Sequence, residues 1–174
     1  MYKYYYKTPS ELSNIILLSD GAYLTGLYFE TLDNKDKFNN YEEKDLDIFK
    51  ETSKYLDIYF NRQIPSFIPK NKLDNISSFQ KEVLDILLTI PYGEVITYGE
   101  IAHKISLKRN IKKMSSQAVG NAIGKNPLCI IIPCHRVIGI NNNLVGYHGG
   151  LKNKIALLEI EGHKKEEFKY NERK

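Results

Sequence analysis

Cys134 and His135 stand side by side in Ile130-Ile131-Ile132-Pro133-Cys134-His135-Arg136-Val137, and together they are the residue types that thiol nucleophilic chemistry requires. A free thiol, with a pKa of about 8.5, is mostly protonated at neutral pH, so a nucleophilic cysteine needs a base, a cation or a helix N-terminus beside it. His135 can be that base. Neighbours on an extended segment point to opposite faces, so either the backbone turns between them or a water relays the proton. A small buried thiol beside a hydrogen-bonded core histidine is the alternative that these two residues alone leave open. The isoleucine run predicts a buried strand or the approach to one. Pro133, which donates no backbone hydrogen bond, ends it where the chain must change direction.

The elements that would position this stretch fall into two regions. In the first, strands are predicted over 2–6, 14–18 and 23–29, with Ser19-Asp20-Gly21 turning between the last two. A helix over 45–60 follows from the apolar spacing of Leu46, Phe49, Tyr55, Ile58 and Tyr59. Residues 62–77, with Pro65 and Pro69, read as a linker. In the second region, Ser77 or Ser78 caps a helix, Gln80 completes a capping box with Ser77, and Phe79, Val83, Ile86, Leu87 and Ile90 form its buried stripe. Pro91-Tyr92-Gly93 ends that helix. Further helices are expected over 98–105, from Ser115 or Ser116 to about Gly124, and from Leu151 through Ile155 and Leu158 to Glu161-Gly162. Short helices joined by a basic connection suggest a helix-turn-helix.

Composition narrows the classes. The 174 residues are 42% hydrophobic and 26% charged, which suits a globular chain rather than a disordered one. No apolar stretch reaches the roughly 20 residues that span a bilayer, and the N-terminus has no signal-peptide core, so a cytoplasmic protein is expected. Cys129 and Cys134 should be free thiols, and neither they nor the four histidines show zinc spacing, so no metal is expected. Charge is uneven: through Asn75 there are ten basic and twelve acidic residues, and after it fifteen against nine. Lys104, Lys108, Arg109, Lys112 and Lys113 form either a solvated loop or a phosphate-contacting surface. Small Ala118, Gly120 and Ala122 would let their helix enter a narrow minor groove or pack tightly on another helix. The charged tail over 163–174 reads as a frayed end.

Pro133-Cys134-His135-Arg136-Val137, preceded by Asn126-Pro127 and the isoleucines and followed by Gly146-Tyr147 and Gly149-Gly150-Leu151, resembles the O6-alkylguanine-DNA alkyltransferase family, also called methylated-DNA–protein-cysteine methyltransferases. The match is densest over 79–162; before residue 76 it rests on order, length and Leu56-Asp57-Ile58-Tyr59-Phe60. The resemblance implies an α/β, ribonuclease-H-like N-terminal domain with its linker over 1–75, and a mainly α, winged helix-turn-helix C-terminal domain over 76–174. It implies that Cys134 accepts the methyl group, His135 removes its proton through a water, Glu161 orients His135, Asn126 braces the turn, and Tyr98 hydrogen-bonds the flipped guanine. Val137, Tyr147, Gly146, Gly149 and Gly150 would line the alkyl pocket. Gln117, Ala118, Gly120, Ser115, Ser116 and Lys113 would face DNA with Arg136, although Arg136 is better suited to bracing the turn.

Two departures stand out. Gln117 occupies the place where many relatives insert an arginine into the base stack, so DNA affinity or flipping is expected to be weaker. His148 replaces a small polar residue, which bears on alkyl size. Some relatives carry zinc in the N-terminal domain, but that half here has neither Cys nor His. The implied activity is irreversible, stoichiometric repair of O6-alkylguanine, secondarily O4-methylthymine, in duplex DNA by a monomer without a cofactor. A winged-helix regulator would not need Cys134, a thiol hydrolase would turn over repeatedly, and alkyltransferase-like lesion sensors replace the cysteine that this chain retains.

Overall fold

The computed structural model describes residues 1–9, 11–32, 34 and 36–170. The chain forms two compact units. Met1–Asn75 and Pro127–Ile131 make the first, and Ile76–Asn126 and Ile132–Lys174 make the second.

In the first unit, β1 (Tyr2–Tyr6), β2 (Ile15–Ser19), β3 (Leu24–Phe29) and the short β4 (Glu42–Glu43) form a sheet in the order β3-β2-β1-β4. Antiparallel pairing joins the first three, and β4 runs parallel to β1. The predicted meander is therefore present. Every residue of β2 is buried, because both of its faces are covered. On one face Tyr4 stacks on Phe49 of α1 (Asp47–Phe60). On the other, Ile16 and Leu18 pack with Phe38, Tyr28 and Tyr41. Asp20 makes the β2–β3 turn by accepting from the amides of Ala22 and Tyr23.

In the second unit, α2 (Ser78–Leu87), α3 (Tyr98–Lys108) and α4 (Ser116–Gly124) pack on one another. A two-residue parallel pair, β5 (Ile96–Thr97) with β6 (Val137–Ile138), and α5 (Leu151–Ile160) complete it. Ser77 caps α2 and Ser115 caps α4, as their positions predict. The capping box expected at Ser77 does not close, because the Gln80 side chain is drawn 2.9 Å to the Lys125 carbonyl at the end of α4. A full box forms instead at α3, between Thr97 and Glu100. Gly162, at φ 99°, lets the His163 amide return to the Leu158 carbonyl and stops α5.

Three expectations need correction. Residues 130–132 are not a strand: Leu128 makes one bridge to Leu27, Ile130 takes φ 69°, and the Ile131 amide turns back to the Cys129 carbonyl. A short apolar run satisfies a buried turn as well as a strand, and Pro133 leaves it too little length for a ladder. On α2, Leu84 is buried, whereas Phe79 and Ile86 are only half-buried. The described part of the tail is anchored rather than frayed. Phe168 is buried with Ile138, Leu144 and Leu158, and Lys169 exchanges backbone bonds with Asn142 and Leu144. Residues 171–174 of that expectation lie outside the described residues. Among the described residues, no helix is long and apolar enough to cross a membrane.

Candidate active site

Pro133 leads into a single 3-10 turn, Cys134–Arg136, so the backbone bends between the thiol and the imidazole. The turn is closed by the Arg136 amide donating to Pro133 and the Cys134 amide donating to Ile132. Its root is held by Asn126, whose side-chain amide donates 2.9 Å to the Ile132 carbonyl. Between Asn126 and Ile132 the chain passes through the five residues assigned to the first unit, so Asn126 staples the departing strand of chain to the returning one. Cys134 is buried and free of any disulfide, and His135 is wholly buried.

Behind the turn lies Glu161, at the C-terminal cap of α5. His135 Nε2 is 2.7 Å from Glu161 Oε1, and both side chains are fully buried. Arg136 donates to both carboxylate oxygens at 2.8 and 2.9 Å and to the Ile90 carbonyl at 2.6 Å, with its guanidinium over the Tyr92 ring. The Gly93 amide donates to Glu161 Oε2 at 3.0 Å, and a Cβ on Gly93 would come within 3.1 Å of the Glu161 carbonyl. Pro91-Tyr92-Gly93 is thus a cradle for the carboxylate as well as a connector. Each of the three guanidinium nitrogens of Arg136 thus donates within this cluster, to Glu161 or to Ile90.

The electrostatics follow from this packing. Burial alone would raise the Glu161 pKa, but the hydrogen bonds of His135 and Arg136 and the charge of Arg136 overcome it and hold the carboxyl well below the usual carboxylate range. Burial lowers the His135 pKa, with the Glu161 bond opposing. The imidazole is therefore neutral at neutral pH with its proton on Nε2, which leaves Nδ1 as the basic nitrogen.

Tyr98 opens α3, and its hydroxyl lies 3.4 Å from both the Val145 and the Gly146 carbonyls. Burial pushes its pKa up to about 12, with Cys134 adding to the shift, so the phenol stays a neutral donor. A Cβ on Gly120 of α4 would lie 3.7 Å from the Tyr98 ring. That is an ordinary van der Waals contact, and it puts this face of α4 against the first residue of α3, one of the two surroundings the sequence left open. Val137 and Gly149 are buried, Tyr147 and Gly150 half-buried and Gly146 exposed.

One strong contributor was not anticipated. Lys154 is wholly buried, donates 2.6 Å to the Val137 carbonyl and lies over the Tyr147 ring. Burial pushes its pKa down to about 8, with the nearby Cys134 opposing. Its position between Leu151 and Leu158 on the apolar stripe of α5 is the signal that could have revealed it, since a lysine there cannot face water.

Of the expected DNA-facing residues, Lys113, Ser115, Ser116 and Gln117 are exposed around the start of α4, and Ala118 and Gly120 are half-buried. The basic cluster is divided. Arg109 and Lys108 pair with Glu82, and Arg109 lies over Phe79, whereas Lys112 and Lys113 project from the connection. Among the described residues, no group of His, Cys, Asp and Glu has the makings of a metal site.

The family model for the DNA-binding domain of 6-O-methylguanine DNA methyltransferase matches residues 78–163. A methylated-DNA–protein-cysteine methyltransferase of Haemophilus influenzae is 34% identical over 158 residues, which span 91% of this chain and 86% of that protein. One from Methanosarcina acetivorans is 39% identical, over 91% of this chain and 98% of its own length. The crystal structure of Mycobacterium tuberculosis OGT in complex with DNA superposes with a TM-score of 0.75 at 36% identity, covering 97% of this chain and 95% of that one.

Proposed function

The chain belongs to the methylated-DNA–protein-cysteine methyltransferase family, and on that premise we propose that Cys134 takes a methyl or larger alkyl group from O6 of guanine in duplex DNA and keeps it. The protein is a DNA-repair methyltransferase that acts by direct transfer, with alkylated double-stranded DNA as its partner and O4-methylthymine as a secondary substrate. The observation that carries the assignment of residues is the buried Glu161–His135 pair, 2.7 Å apart, set directly behind the turn that bears Cys134.

Neutral His135 takes the thiol proton at Nδ1 through a water, and the anionic Glu161 stabilises the imidazolium that forms. Lys154 adds a buried positive charge near the sulfur, which favours thiolate. The thiolate attacks the O6-bound carbon, a C–S bond forms as the C–O6 bond breaks, and the bonding pair leaves on the purine. Tyr98 donates to the developing negative charge, and the proton that left the thiol is returned to the base. The product is free guanine in DNA and an S-alkylcysteine. A thioether has no hydrolytic route back to the thiol, so each molecule acts once, and the scheme calls on no cofactor.

On the same reading, residues 1–75 form a ribonuclease-H-like domain with its linker, and residues 76–174 a winged helix-turn-helix with α4 at the minor groove. The exposed Lys113, Ser116 and Gln117 meet phosphates and the unpaired base, while Ala118 and Gly120 keep the helix slim. Val137, Tyr147, Gly146, Gly149 and Gly150 wall the alkyl pocket. The protein works as a cytoplasmic monomer. The test is incubation with duplex carrying O6-methylguanine labelled in the methyl group, followed by peptide mass mapping. Label on Cys134, at no more than one per molecule and none in Cys134→Ala, is expected. A folded protein that takes no label, or that turns over repeatedly as a thiol hydrolase would, refutes the proposal.

A further inference from the structure

Asn153 lies on α5 one residue before Lys154, is 3% exposed, and donates its side-chain amide 2.6 Å to the Gly149 carbonyl. The loop over 145–150 is held very differently at its two ends. Val145 and Gly146 are exposed, and the phenol of Tyr98 approaches their carbonyls only at 3.4 Å. At the other end Gly149 is buried, the Gly150 amide closes a turn on the Tyr147 carbonyl, and the Asn153 amide fixes the Gly149 peptide from below. Gly146 and Gly150 both hold positive φ, at 40° and 88°, so the segment between them is bounded by the residues freest to rotate.

We infer that Asn153 is a positioning residue that limits the size of the alkyl group the pocket accepts. The inference rests on the reading of residues 146–150 as the wall of that pocket. For the wall to retreat before a bulky group, the Gly149 peptide must move, and a buried hydrogen bond must break with its carbonyl left unpaired. A methyl group demands no such movement. The soft end of the loop, at Val145 and Gly146, can yield to the entering base, while the pinned end keeps the space around the transferred carbon narrow.

Asn153→Leu keeps the bulk and removes the donor, and Asn153→Ala removes both. Single-turnover rates are measured on duplexes carrying O6-methylguanine and O6-benzylguanine. In either variant the benzyl-to-methyl rate ratio should rise about tenfold while the methyl rate stays within about threefold, a range typical of a changed apolar pocket. A folded variant whose ratio is unchanged, or whose two rates fall together, overturns the inference. If the unsubstituted protein transfers neither group, the alkyltransfer reading itself has failed; if it transfers and only the ratio is unmoved, that reading survives. Should neither variant melt cooperatively, the unsubstituted protein decides by NMR. A slowly exchanging Asn153 side-chain amide, shifted more by a benzyl than by a methyl group on Cys134, supports the inference. Rapid exchange or equal shifts overturn it.

Discussion

Glu161 carries two duties that one substitution separates from the rest of the site: it fixes the tautomer of His135 and neutralises the largely buried Arg136. Glu161→Gln should cost about 3 kcal/mol, because it strands a buried cation, and should slow transfer about a hundredfold by weakening the base. Urea titration and single-turnover kinetics check the two effects. Both pKa shifts lie downward, so both stabilise the folded state most at and above neutral pH. The His135 contribution is lost as pH falls below its ordinary value of 6.5, and that of Glu161 as pH falls below 4.5. Urea midpoints measured from pH 8 to pH 4 should therefore fall toward acid, and between pH 6.5 and 4.5 no less steeply in Glu161→Gln, because Glu161 opposes the burial that lowers the His135 pKa. Lys154→Met should behave differently: stability within about 1 kcal/mol, since a lost hydrogen bond offsets a relieved buried charge, but slower transfer below pH 8, where the native amine is charged. Equal transfer rates would remove Lys154 from the chemistry. At this scale the sequence was informative about identity and poor about partners. Cys134 and His135 stand out by residue type and order and Glu161 came only with the family resemblance, whereas the bonds of Arg136 to Ile90 and of Gly93 to Glu161 join residues distant in sequence and have no local signature.

Among the elements, helix ends were readable because they depend on adjacent residues. Ser77, Ser115 and Gly162 act where their positions predict. The isoleucine run failed because burial, not periodicity, selects those residues, and a buried turn needs them as much as a strand does. Gln80 failed because a long-range acceptor at Lys125 outcompeted the local one. The connection from α3 to α4 shows why counting lysines overstates a basic surface: Glu82 engages Lys108 and Arg109, whereas Lys113 remains outward. Lys113→Ala should accordingly lower the salt-dependence slope of duplex binding by about 0.9, the value for one phosphate contact, whereas Lys108→Ala should move it less. Gln117→Arg should tighten binding to lesion duplex, because a planar cation both stacks and pairs with phosphate. Unchanged affinity would show that glutamine at this place is no handicap.

For the molecule as a whole, the informative feature is that residues 127–131 belong with the sheet of the first unit while residues on both sides of them belong to the second. Pro127 and Cys129 exchange backbone bonds with Leu27 on β3, and Asn126 closes the root of the detour on Ile132. A boundary near residue 75 was visible in the prolines and polar residues of the linker; this return was not, because five apolar residues carry no mark of which sheet they will join. Asn126→Ala should cost about 1 kcal/mol by removing one of the two donors to the Ile132 carbonyl, which keeps the Cys134 amide, and a fragment starting at Ile76 should melt lower and transfer more slowly than the full chain. The detour also constrains how such a chain can change length. One residue added or deleted between Asn126 and Cys134 would break alignment at β3 or at Ile132, so natural indels should be absent there and frequent in the outward connection over 110–114.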